Sequence, residues 1–211
     1  VRVPEPDPLS QSPGRSVEGE GPRAAGVAPD REWLERVRAR DPGALGDFYE
    51  RYVDMVFGLA WRLLGERTLA EDAASDVFLK VHRAADRLDA TRDPAPWLVT
   101  ITTNVCRDLW RSGAWRMRRG AADVDDPASA ASLSTGRNDP EQDAIGAERE
   151  RLVQAALREL PEPLRTAIVL HDYQGLDHRQ VAEVLHIAHD AARKRYSRAL
   201  AALEEKLRGR L

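Results

Sequence analysis

LDHRQVAEVLHIAHDAARKRYSRALAAL, residues 176–203, decides the reading of this chain. Asp177 and Gln180 stand three apart, a D-x-x-Q pair that can cap a helix start reciprocally. The helix it opens carries Val181, Val184 and Leu185 inward. His186-Ile187-Ala188 follows as a short turn. A longer helix then sets Ala192, Tyr196, Ala199, Leu200, Leu203 and Leu207 along one stripe. A helix of about eight residues, a turn of about three and a longer helix match helix-turn-helix spacing. The outward face of the last helix offers Asp190, Arg193, Lys194 and Ser197, with Arg198 beside them and Arg195 nearer the boundary. Between 188 and 198 there are four basic residues and one acid. Arginine can donate bidentately to a guanine edge in the major groove, and the other polar groups can hold phosphates. Arg165 and Arg179 are further phosphate candidates. The competing reading is a solvated basic face, because cations also suit a helix C-terminus.

Upstream, Leu152, Ala156, Leu157 and Leu160 mark a helix from about Glu148. Pro161-Glu162-Pro163 breaks it and opens another, which carries Leu164, Ile168 and Val169 and stops at Gly175. Residues 148–211 therefore read as four helices.

Residues 31–119 form a second helical unit. Asp41-Pro42 is a cap followed by a first-turn proline. Leu45, Phe48, Tyr49, Tyr52, Val53, Val56, Phe57, Ala60, Leu63 and Leu64 then recur at helical spacing, and Gly65 ends the run. Thr68 and Glu71 suggest a capping box for a helix bearing Ala73, Val77, Phe78 and Val81. Asp93-Pro94 starts a third helix, with Trp97, Leu98, Ile101, Val105 and Leu109 as its stripe. A shorter helix over 31–39 precedes them all. No stretch sustains a strand period, so the fold class is all-α, two small helical domains joined by a linker.

Acids gather at the start of the second of these helices: Glu66, Glu71, Asp72 and Asp76. They suit a helix N-terminus, and they equally suit a docking face for a basic partner, with Val77 and Phe78 supplying apolar contact. The third helix ends in NVCRDLWRSGAWRMRRG. Between 107 and 119 it carries five arginines and one acid, interleaved with Trp110 and Trp115. Cations that follow phosphates and rings that stack on bases are what single-stranded nucleic acid requires. The alternative makes Trp97 a core residue and Trp110 a helix-end anchor.

The whole chain has 211 residues, with 32 Lys+Arg against 35 Asp+Glu, a net charge of −3. A uniformly basic nucleic-acid coat is excluded, but local patches are not. Residues 31–120 carry 16 basic and 14 acidic groups, and 148–211 carry 12 and 10. The acidity sits in residues 1–30, which hold six prolines and four glycines, and in 120–147, with one basic residue against six acids. These read as a disordered tail and a flexible linker. Cys106 is the single cysteine, so no intrachain disulfide exists, and a buried small hydrophobe is the expected role. No apolar run reaches the length of a membrane span, and the first residues lack the order of a secretory signal. The expectation is a cytoplasmic protein without membrane insertion.

Taken in order, these segments resemble the bacterial sigma-70 superfamily, specifically the small extracytoplasmic-function sigma factors of RNA polymerase. ALGDFYERYVDMVFGLAWRLLG, AEDAASDVFLKVHRAADRL and PWLVTITTNVCRDLWR are similar to region 2 of that family. ALRELPEPLRTAIVLHDYQGLDHRQVAEVLHIA and RKRYSRALAALEEKL are similar to region 4. The resemblance implies that Glu71, Asp72, Asp76 and Phe78 dock on the clamp helices of the polymerase's largest subunit. It places Lys80, Arg83, Asn104, Asp108 and Arg111 near the promoter −10 element, partly single-stranded. It assigns Arg179, Arg193, Lys194, Arg195, Ser197 and Arg198 to the −35 duplex, close to the polymerase flap region. An anti-sigma protein is an implied partner, and the free chain is expected to be a monomer. Where the family's turn commonly has glycine and serine, this chain has His186 and Ala188, so a left-handed backbone and a missing cap are expected there.

No catalytic residues and no cofactor are expected. His171, His178, His186 and His189 lack zinc-ligand spacing, and no glycine-rich phosphate loop occurs. Two other functions fit parts of the sequence: a stand-alone helix-turn-helix regulator, and a degenerate sigma-like adaptor that binds protein only.

Overall fold

The computed structural model describes residues 29–112 and 140–208, without the side chains of 140–147. The tail and most of the linker expected from the sequence lie outside the described residues. Among those described, the structure is helical with no strand. The helices are α1 (Arg31–Arg38), α2 (Pro42–Leu64), α3 (Arg67–Arg83) and α4 (Ala95–Arg111), with a single 3-10 turn, Ala85–Arg87, after α3. Then come α5 (Pro140–Arg158), α6 (Glu162–Ile168), α7 (His178–Leu185) and α8 (His189–Leu207). A π turn, Val169–Tyr173, continues α6. The last helix before the Pro161 break thus begins at Pro140, inside the stretch read as linker.

Local chemistry sets most boundaries. Asp30 caps α1 by accepting from the Glu32 amide. Asp41 accepts from the Ala44 amide at 2.8 Å and from Arg36 at 2.8 Å, and those bonds hold its carboxyl below the ordinary aspartate range. Gly65 ends α2 in the left-handed region at φ 76°, its amide donating to the Trp61 carbonyl. Asp177 and Gln180 form the full reciprocal capping box of α7. The box expected at Thr68 and Glu71 is absent. Helix α3 begins two residues earlier, with Glu66 as its cap and no side-chain bond, and Glu71 instead pairs with Arg67 at 2.9 Å. An i,i+4 ion pair displaced the box.

Helix α2 is the axis of the first half. Phe48, Tyr52, Val56, Leu59 and Leu63 are buried along it, against Val77 and Val81 of α3 and Leu98, Val99 and Val105 of α4. Each such side chain contributes about 1.5–3 kcal/mol when fully buried. In the second half α8 packs against α5, α6 and α7, covering Leu157, Ile168, Val181, Leu185, Ala192 and Ala199. Tyr49, read as part of the buried stripe of α2, is 49% exposed. Leu200 of α8 is also exposed.

The two halves share one continuous apolar core. Polar groups stitch the seam where α2 ends. Its last carbonyls are short of intrahelical donors, and residues of the second half donate to Leu63 and Gly65 and add a second bond to Trp61, which already accepts from the Gly65 amide. Gln154 Nε2 donates to the Trp61 carbonyl at 2.9 Å, Arg165 Nη1 to that of Leu63 at 2.7 Å, and Arg158 Nη1 to that of Gly65 at 3.3 Å. Arg62 pairs with Glu150 at 3.2 Å and lies over the Tyr173 ring. Cations at a helix C-terminus also meet the favourable end of its dipole.

Candidate nucleic-acid and partner interfaces

Three surfaces carry the residues singled out from the sequence. The first is the outer face of α3. Its inward positions, Ala70, Ala73, Ala74, Val77 and Val81, are buried, which turns Glu71, Asp72 and Asp76 outward to solvent. Val77 therefore offers no contact to a partner. Phe78 is half-buried, with its ring 4.7 Å from that of Tyr49. Leu79 beside it is 54% exposed. The surface is thus three carboxylates next to a patch of Tyr49, Phe78 and Leu79. Sequence reasoning passed over Tyr49 and Leu79. The available signal was Leu79 itself, an aliphatic side chain off the buried period of its helix.

The second surface lies where α3 and α4 run side by side. Asn104, Asp108 and Arg111 fall at i, i+4 and i+7 and so share a face of α4. Lys80 of α3 reaches Asp108 at 3.8 Å, which joins two of the candidates directly. The Asn104 amide nitrogen is buried without a hydrogen-bond partner. Arg83 is exposed in the last turn of α3, and its carbonyl accepts from Arg40. Trp110 does not belong to this surface. It is 7% exposed, with the Arg165 guanidinium 5.6 Å from its ring centre, and so it is the anchor rather than a base-stacking ring. Arg107 is turned to Glu162 of α6 at 4.0 Å. Trp115 lies outside the described residues.

The third surface is built by α7, its turn and α8. His186 takes the left-handed backbone, φ 52° and ψ 49°, that the turn requires. Ala188 caps α8 with no side-chain bond. Burial of Ala192 and Ala199 fixes the rotation of α8. Arg193, Lys194, Ser197 and Arg198 then face solvent, and Arg195 sits half-buried at the boundary. None of these four cations makes an ion pair within the described residues. Arg179 is exposed at the start of α7 and pairs with Glu183 at 3.7 Å. Arg165, read as a phosphate candidate, is 2% exposed and points the other way. Its guanidinium donates to the carbonyls of Leu63, Arg158 and Leu160 in the seam.

Cys106 is fully buried in α4, and that burial pushes its thiol well above the ordinary range. Among the described residues no three His, Cys, Asp or Glu side chains gather as a metal site, and no helix is long and apolar enough to cross a membrane.

Comparison with known proteins places both halves. The family model for sigma-70 region 2 matches residues 48–132, and that for sigma-70 region 4 matches 150–203. RNA polymerase sigma factor CarQ of Myxococcus xanthus is 31% identical over 174 residues, 82% of this chain and 95% of that one. ECF RNA polymerase sigma factor SigW of Bacillus subtilis is 27% identical over 177 residues, 83% and 95% of the two chains. Among solved structures, CnrH in complex with the cytosolic domain of CnrY superposes with a TM-score of 0.58 and 26% identity. The match covers 85% of this chain and 97% of CnrH.

Proposed function

The chain belongs to the extracytoplasmic-function sigma factors of RNA polymerase, and from that premise we propose how its three surfaces divide the work of promoter selection. Glu71, Asp72 and Asp76 meet the clamp helices of the polymerase's largest subunit, and Tyr49, Phe78 and Leu79 add apolar contact beside them. Lys80, Arg83, Asn104, Asp108 and Arg111 meet the −10 element as it opens. Arg193, Lys194, Arg195, Ser197 and Arg198 of α8, with Arg179 of α7, meet the −35 duplex near the polymerase flap. Nucleotide addition belongs to the polymerase, and this chain contributes discrimination, working on the cytoplasmic side.

The observation that carries this reading is that Arg193, Lys194, Arg195 and Arg198 of α8 make no ion pair among the described residues. A solvated structural helix gains nothing from four basic side chains left without carboxylate partners, whereas a phosphate backbone supplies those partners. With a net charge of −3 the free chain binds duplex poorly, and polymerase supplies the missing affinity through effective concentration. An anti-sigma protein that covers these surfaces is the expected antagonist, as CnrH has been solved with a domain of CnrY.

Reconstitution with core polymerase and a promoter library tests the division. Glu71→Lys and Asp72→Lys weaken association with core enzyme. Arg193→Ala leaves association intact and shifts promoter choice at the −35 position. Unchanged transcription in all three variants removes the assignments.

A further inference from the structure

The promoter contacts leave one cluster of α8 unused. His171 and Asp172 come from the π turn, His178 opens α7, and His189 and Tyr196 lie on α8. The rings of His171 and His178 stack at 4.7 Å. Tyr196 lies 4.1 Å from the first and 5.1 Å from the second. Asp172 fixes this arrangement, accepting from His171 Nδ1 at 2.7 Å and from the Tyr196 hydroxyl at 3.0 Å. His178 Nδ1 is sealed inside without a partner, so Nε2 is the ring nitrogen a ligand can reach. The same histidine lines an open cavity of about 250 Å³ together with Asp190, Arg193, Lys194, Tyr196 and Ser197. Three of these are −35 residues, and one, Asp190, is acidic.

We propose that His178 is a proton-linked phosphate ligand of the −35 surface, a DNA phosphate entering this cavity together with a proton on the imidazole. The proposal rests on the reading of α8 as the duplex-binding helix. In the free protein the surroundings oppose that proton. Burial is the largest cause, followed by the charges of His171, His189 and Arg193, with Asp177 acting the other way, and together they hold His178 below the ordinary histidine range. Lys194 adds positive charge on the cavity wall, Asp190 offsets it, and Asp172 is engaged by His171 and Tyr196. A phosphate beside Nε2 reverses the balance, because an opposite charge within about 4–6 Å favours the charged form. The pKa is then higher in the bound state than in the free state. Affinity accordingly rises as pH falls through the window between the two values and is level above it.

The test uses the full chain assembled with core polymerase on a promoter fragment, with dissociation constants measured from about pH 8 to about pH 5.5. Dividing the His178→Gln value by the wild-type value cancels the polymerase's own titration. For a one-unit shift on binding the expected ratio climbs as pH falls toward a limit of about tenfold, with a several-fold rise within that range. His178→Phe keeps the stacked ring without the proton and gives the same profile, which separates titration from packing. On a fragment with a scrambled −35 element the rise disappears. A ratio flat with pH for both variants overturns the proposal. If Arg193→Ala still weakens binding in that case, the duplex reading of α8 survives. If Arg193→Ala is also silent, it is that reading which fails.

Discussion

Arg165→Met removes one fork from the seam and little of its volume. Methionine reproduces the flexible stem and packs adaptably. Lost are the bonds to the carbonyls of Leu63 at 2.7 Å, Arg158 at 2.7 Å and Leu160 at 3.0 Å, and the cation over Trp110. Each carbonyl left dry costs about 1–3 kcal/mol. Removing a buried charge returns several kcal/mol of desolvation. Three dry carbonyls cost about 3–9 kcal/mol, and less the returned desolvation the expected net loss is about 3–5 kcal/mol. Whole domains are stable by only about 5–15 kcal/mol, so this is a large fraction, and in a body of this size it lowers Tm by roughly 10–15 °C. Urea unfolding followed by tryptophan fluorescence and far-ultraviolet circular dichroism reads it, because Trp110 sits at the seam. The wild-type chain unfolds with both signals coincident. In the variant the midpoint falls and the two signals separate, as halves that shared a core melt apart. A midpoint within about 0.5 kcal/mol of wild type, with the signals still superimposed, refutes the assignment of Arg165 as the tie between the halves.

Gly65→Ala places a Cβ against Cγ and Cδ of Arg158 on a backbone at φ 76°, and calorimetry should show a loss of about 1–3 kcal/mol. His186→Gly relieves a left-handed residue worth about 1–2 kcal/mol of strain and adds unfolded-chain entropy. The expected gain is about 0.5–1 kcal/mol, read as a higher urea midpoint. Cys106 reacts with a thiol reagent only as fast as the protein unfolds, so its labelling rate rises with urea along the unfolding curve. Rapid labelling in native buffer contradicts its burial.

Legibility followed the range of the interaction. The caps at Asp41 and Asp177 and the stop at Gly65 are decided within about four residues, and the sequence shows them plainly. The orientation of α3 and α8 follows from the period of their alanines and valines, so the acids and cations were correctly set outward. Arg165 was misread, and the choice between two readings of Trp110 stayed open, because their partners are remote: Arg165 meets a carbonyl 102 positions away. An arginine that caps a foreign helix and one that awaits a phosphate are the same letter. Tyr49 kept the period of α2 yet stayed exposed, because α2 has more apolar positions than α3 and α4 can cover. The π turn at 169–173, which brings His171 to His178, left no mark in the spacing of apolar residues.

The seam at the end of α2 also sets a limit on reach. About 150 residues at native density have a radius of gyration near 15 Å, a body roughly 40 Å across. Sites named for positions 35 and 10 upstream of a start are about 25 base pairs apart, roughly 85 Å of B-form axis. Under the division of labour proposed above, one molecule in its folded-together form can therefore grasp one of them, not both. To straddle the pair, Trp61, Leu63 and Gly65 must release Gln154, Arg165 and Arg158.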